Sequence, residues 1–138
     1  MRILVDTNIV MDILLKREPR FEASYGAIRY AIEQGCECFI SAATVADIFY
    51  LIQRELKNVD EARKSIERML TLFEIADVQD TDIRSAPSSS MHDFEAAVVH
   101  AIAVRYRADM ILTRNTKDFT ETSMPIYTPG EFMERANN

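Results

Sequence analysis

Ile3, Leu4 and Val5 form an unbroken apolar run that stops on an acid, Asp6. The run is too short for a buried helix and has no polar alternation. It therefore reads as a strand covered on both faces, as in the interior of a parallel sheet flanked by helices. Ligands of such sheets bind outside the carboxyl ends of the strands. Asp6 would stand there, followed by Thr7 and Asn8. An acid directly after a buried strand is costly without partners, so the question is which other residues meet it.

The rest of the chain supplies helices and further short strands. Apolar residues at 10, 11, 14 and 15 set a first helix from Asn8 to Arg17, with Pro19 as its stop. Phe21, Tyr25, Ile28 and Ile32 suggest the buried stripe of a second helix, closed by Gly35. Cys36 to Ser41 reads as the second strand and Ala42 to Leu56 as a long helix. A fourth helix follows Asn58, with Ala62, Ile66, Met69, Leu70 and Phe73 as its stripe. Ile75, Asp77 and Val78 suggest a third strand, and Asp80 to Pro87 a turn or brief helix. His92 to Arg107 reads as a late helix, Met110 to Thr113 as the fourth strand and Pro125 to Tyr127 as a fifth. Pro129 opens a closing helix.

Strands alternating with helices predict an α/β fold, a three-layer α/β/α sandwich on a central parallel sheet of about four to five strands. Residues 1–138 are expected to form one domain. Right-handed crossovers bring all strand carboxyl ends to one edge, which then carries Asp6, Ser41 and Thr113-Arg114-Asn115.

Composition narrows the function classes. Three glycines leave little room for a glycine-rich phosphate loop, and no apolar run approaches a membrane span. With no signal-peptide pattern at the start, the expected location is cytoplasmic. Cys36 and Cys38 match neither a redox pair nor a zinc knuckle. A net charge of −6 does not favour indiscriminate nucleic-acid binding, which runs on basic side chains. Acids gathered in one pocket around divalent cations would reverse the local sign.

Asp47 stands early in the third helix among apolar neighbours, Asp93 at the start of the late helix, and Asp118 three residues beyond Asn115. Asp93 also suits a helix's first turn, and Asp118 a turn. Asp12 and Glu95 read as solvated helix-face charges, and His92 and His100 as non-ligands. Converging carboxylates repel one another and need a cation. With oxygen donors and no matching His or Cys spacing, that cation is Mg²⁺ or Mn²⁺, serving phosphoryl chemistry. Asp6-Thr7-Asn8 lacks the second acid of a phosphoaspartate phosphatase, and the acid order of a receiver domain is absent. A phosphatase on a related sheet stays open as a minor reading.

Ile3-Leu-Val-Asp-Thr-Asn8, Ser41-Ala-Ala-Thr-Val-Ala-Asp47, Asp93-Phe-Glu-Ala-Ala97 and Ile111-Leu-Thr-Arg-Asn115-Thr-Lys-Asp118-Phe, in this order, closely resemble the PIN domain. The stretch 125–132 fits as well. The resemblance implies a Mg²⁺- or Mn²⁺-dependent endoribonuclease, VapC-like, the toxin of a type II toxin–antitoxin pair. It implies an RNA substrate, a cognate antitoxin and a homodimer. Asp6 matches the first metal ligand and Asp47 the second acid, with Asn115 and Asp118 as the last acidic region. Thr7, Asn8, Ser41 and Thr113 are candidates for orienting water and substrate, and Arg114 and Lys117 for steering phosphate. One block departs. Ala96 stands where relatives carry the core aspartate, and Asp93 lies one helical turn earlier on roughly the same face. That leaves an alternative, a catalytically degenerate PIN-like module that binds RNA or a protein.

Overall fold

The computed structural model describes residues 1–137. Five parallel strands, β1 (Arg2–Val5), β2 (Glu37–Ser41), β3 (Glu74–Ala76), β4 (Met110–Leu112) and β5 (Ile126–Tyr127), form one sheet in the order β3-β2-β1-β4-β5. Register is set by Ile3 opposite Cys38 on one side and Met110 on the other. β1 is thus the central strand, as its apolar run requires. The order reverses between β1 and β4, which opens a crevice beyond their carboxyl ends.

Pleating divides the core. Ile3, Val5, Ile40 and Leu112 point into a cluster with Ile9, Ile28, Ile48, Ile52 and Met69. These come from α1 (Thr7–Leu14), α2 (Phe21–Glu33), α3 (Ala42–Leu56) and α4 (Val59–Leu72). Leu4, Phe39 and Ile111 point the other way, against Val98, Val99 and Ile102 of α6 (Phe94–Arg105). Short α5 (Asp80–Arg84) lies before α6, and α7 (Pro129–Ala136) supplies Phe132 to the first cluster. The layers are therefore α/β/α.

The caps explain several boundaries. Asp6, Ser41, Asn58 and Asp93 are the N-caps of α1, α3, α4 and α6. The late helix consequently starts at Phe94 rather than His92. Strand β3 covers Glu74–Ala76, short of the expected Asp77 and Val78. There Arg105 Nη1 and the Tyr106 hydroxyl donate to Asp77 Oδ1 instead. The α2 stripe is also shifted. Ser24, Ala27, Ile28 and Ala31 are buried, whereas Tyr25 and Ile32 are exposed. Small residues face inward because α2 packs directly on α1, where Ser24 meets Asp12. On α4, Ser65 is buried and Leu70 exposed. Cys36 and Cys38 are free thiols, and burial pushes Cys38 up to about 12. No helix among the described residues is long and apolar enough to cross a membrane.

Candidate active site

Asp6 leaves β1 with its backbone N–H still bonded to Leu112 of β4, so the sheet itself aims it into the crevice. Its side chain is held at both oxygens. Thr7 N–H donates to Oδ1 at 2.8 Å. The Thr113 hydroxyl donates to Oδ2 at 2.8 Å, and Asn8 Nδ2 donates there at 3.3 Å. Asn8 Oδ1 in turn accepts from Arg114 N–H, and Thr113 Oγ1 accepts from Asn115 N–H at 3.0 Å. The first helix and the loop after β4 are thus stitched together around one carboxylate.

A cleft of about 250 Å³ opens beside it, walled by Asp6, Thr7, Asn8, Asp93, Glu95, Ala96, Asn115, Asp118 and Phe119. Four carboxylates line this cleft, and no Lys, Arg or His does. Burial raises the Asp6 carboxyl above its usual range, and repulsion from Asp118 and Asp93 adds to that. The bonds from Thr113 and Thr7 oppose it. Burial also raises Glu95, reinforced by Asp6, Asp93 and Asp47. Asp6 and Glu95 are therefore both under the charge of neighbouring acids and are not isolated surface groups.

Glu95 is the residue that sequence reasoning missed. It lies on α6 between Asp93 and Ala96 and reads as a solvated charge. In the fold it is exposed, as that reading has it, and it also lines the acid cleft. The signal was its place in the first turn of a helix that starts at the crevice. Ala96 is buried and lines the same cleft, so the missing acid is a feature of the site's wall. Asp93 spends Oδ1 on Ala96 N–H at 2.8 Å as the helix cap, and still lines the cleft.

Other expected site residues are placed differently. Asp47 is exposed on α3, because Thr44, Ile48 and Ile52 take the buried face. Its apolar neighbours in sequence do not bury it. It acts on Glu95 through its charge without lining the cleft. Ser41 is buried and uses its Oγ to cap α3 at Ala43 N–H, so it too stays outside the cleft. Arg114 does not reach toward the cleft. Its guanidinium pairs with Asp12, which is fully buried and not, as expected, a solvated charge. Lys117 is exposed beside the cleft. His100 bonds Thr122 Oγ1 at 2.7 Å, away from the acids.

The donor set fits a hard cation. It is made of oxygen ligands, with a neutral amide in Asn115 and no soft atom. Among the described residues no three His, Cys, Asp or Glu side chains stand close enough to share one ion. Mg²⁺ keeps several waters and takes only one or two carboxylates directly, so the cleft satisfies its ordinary requirement without a closed protein cage.

A model of the PIN domain matches residues 2–117. The chain belongs to the PIN domain family. This PIN domain is 23% identical to Ribonuclease VapC1 of Aquifex aeolicus (strain VF5), over 99% of this chain and 96% of that protein. Its fold resembles that of Rickettsia felis VapBC2, solved bound to a DNA fragment from their promoter. The TM-score is 0.70 at 16% identity, covering 93% of this chain and 98% of that one. It also resembles Mycobacterium tuberculosis VapC20, a sarcin-ricin loop cleaving toxin, with TM-score 0.62 at 15% identity over 79% and 86% of the two chains. A third neighbour is a toxin–antitoxin complex from Klebsiella pneumoniae, with TM-score 0.63 at 24% identity over 91% and 96%. At these identities the solved structures speak for the fold, and the acid cleft speaks for the site.

Proposed function

We propose that this PIN domain is a divalent-metal-dependent endoribonuclease and the toxin of a type II toxin–antitoxin pair. One observation carries the reading. Asp6, Asp93, Glu95 and Asp118 line a single cleft at the sheet's switch point with no basic side chain among them. Of Asp6, Asp93, Asp118 and Asn115, one or two carboxylates would hold Mg²⁺ or Mn²⁺ directly and the others through its waters, with Glu95 beside them and Asp47 near them on α3. When bound, the ion supplies Lewis acidity and offsets the phosphate's charge.

The chain's own groups supply orientation. Thr113, Asn8 and Thr7 fix Asp6 by its two oxygens, which removes the side-chain freedom that would blur the position of whatever it holds. Asn115 is fixed through its backbone N–H by the same Thr113 hydroxyl. Hydrolysis adds water oxygen to phosphorus and breaks the bond to the ribose O3′, leaving a 3′-hydroxyl and a 5′-phosphate. The deprotonation falls to water facing the four carboxylates, the groups here able to accept a proton.

For an antitoxin, the groove lined by Leu14, Phe21, Tyr25, Arg68 and Leu72 offers apolar surface with basic edges. Exposed Tyr50, Leu56 and Val59 on α3 and α4 are the surface offered for a homodimer.

Ala96, together with the absence of three close donors among the described residues, favours a second reading, a non-catalytic PIN module that binds RNA or a protein. One experiment separates the two. RNA is incubated with the parent, Asp6→Asn and Ala96→Asp in Mg²⁺ or Mn²⁺. Cleavage by the parent that disappears in Asp6→Asn supports the enzyme. Cleavage seen only after Ala96→Asp supports the degenerate module.

A further inference from the structure

A second cavity, of about 300 Å³, adjoins the acid cleft and shares two of its walls. It is lined by His92, Asp93, Lys117, Asp118 and Thr120, and Asp93 and Asp118 line both spaces. Its character is different. The cleft offers carboxylates, whereas this cavity adds an ammonium, an imidazole and a hydroxyl, three side chains able to donate hydrogen bonds.

Lys117 is the one Lys or Arg lining either space. It shares its cavity with two carboxylates, yet among the described residues it makes no ion pair within 4.0 Å. Every such pair involves other cations. Arg114, three residues earlier, has the opposite fate and is drawn inward by Asp12. The fold therefore pairs one cation of this loop with a buried acid and leaves the next one free of ion pairs at the mouth of the acid site.

On the nuclease reading above, we infer that this cavity is a phosphate subsite for single-stranded RNA. It takes the backbone phosphate next to the one held at the acids. Lys117 supplies the charge, and His92 and Thr120 supply hydrogen bonds to its oxygens. A chain of net charge −6 gains little from diffuse attraction for RNA, so a single free cation beside the acids has a disproportionate share of the work. Shared walls at Asp93 and Asp118 make the two spaces one path, along which a continuous strand passes from the acid cleft to the cavity that Lys117 lines.

The test measures binding of a labelled single-stranded RNA of mixed sequence by fluorescence anisotropy. It uses Asp6→Asn protein, alone and combined with Lys117→Ala, Lys117→Arg or His92→Ala, across a salt series. Losing one phosphate contact flattens the slope of log K against log salt by about 0.7. Affinity at low salt falls about threefold to fivefold. Lys117→Arg restores both, and His92→Ala weakens binding while keeping the slope. Mn²⁺ affinity, measured separately, does not fall in Lys117→Ala, which removes a cation beside Asp93 and Asp118 and no donor; a fall would overturn the subsite. An unchanged slope in Lys117→Ala overturns the subsite, as does a slope change that Lys117→Arg fails to restore. If the unmodified protein cuts no RNA but Lys117→Ala still flattens the slope, the nuclease reading falls and the subsite stands. If it cuts RNA while the slope is unmoved, the subsite falls alone.

Discussion

Arg114 Nε lies 2.8 Å from Asp12 Oδ2, and Nη2 lies 3.3 Å from Oδ1, joining the loop after β4 to the interior of α1. Ser24 Oγ adds a third bond at 3.0 Å. The guanidinium is a structural counter-ion, because a carboxylate removed from water requires one. Arg114 N–H also donates to Asn8 Oδ1, so the residue that neutralises the core helps hold the residue that braces Asp6.

Removing the guanidinium therefore costs more than an ordinary surface change. Arg114→Ala leaves Asp12 with Ser24 as its remaining side-chain donor, and a loss of about 3 kcal/mol is expected. Arg114→Lys keeps the charge without the two-pronged contact and falls between the parent and the alanine variant. Urea midpoints give the ranking. A parent-like midpoint in Arg114→Ala would refute the counter-ion role.

Thr113 is fully buried, and its hydroxyl serves three neighbours, Asp6, Asn8 and Asn115. Thr113→Val keeps the shape and removes the hydroxyl, at an expected cost of about 1–3 kcal/mol from polar groups left without a partner. The bond from Thr113 lowers the Asp6 carboxyl. Losing it lets that group rise further, and the acid limb of the activity profile moves to higher pH. The measurement is cleavage rate against pH in Mn²⁺. An acid limb identical to the parent's would show that Asp6 ionisation does not control activity.

Burial lowers His100 from its ordinary 6.5, so the unfolded chain takes up a proton before the folded one does. Stability from this residue is complete above about pH 6.5 and is lost as pH falls through the lower folded value. Replacing His100 by Gln keeps a partner for Thr122 and flattens this part of the curve. Denaturant midpoints between neutral and mildly acidic pH decide it. Equal slopes in the two proteins would remove His100 from the explanation.

The fold was legible where short-range pattern decides it. Ile3-Leu4-Val5 could only be a central strand, and every strand expected after it has a counterpart in the sheet, with β3 ending before Asp77. The first acid was legible for the same reason. What escaped were residues whose fate depends on partners distant in sequence. Asp12 sits among helix-face positions and reads as solvated until Arg114 arrives from 102 residues away. Asp47 has apolar neighbours in sequence, but helical phase turns them inward and it outward. Ala96 reads as a lost acid, and the place of Glu95 in the first turn of α6 is the one local sign that it lines the same cleft.

Glu95 therefore carries the sharpest prediction about the site. Its carboxyl is raised by burial and by the charges of Asp6, Asp93 and Asp47, so it opposes folding once ionised. That cost is absent below the ordinary value of 4.5 and is fully present above the raised folded value. Without metal, Glu95→Gln is expected to melt about 1–2 °C higher than the parent at neutral pH, the scale of an exposed charge pair. The advantage vanishes as pH falls toward 4.5. With Mn²⁺ the order reverses, because the parent gains more from an ion that its acids hold better. Mn²⁺ affinity is expected to drop about tenfold in the variant, as for the loss of a supporting ligand. Calorimetric melting with and without Mn²⁺, beside a Mn²⁺ titration followed by electron paramagnetic resonance, measures both arms. Unchanged Mn²⁺ affinity would return Glu95 to the status of a surface charge. The predicted loss would show that this chain, with alanine at position 96, draws on the acid one residue earlier.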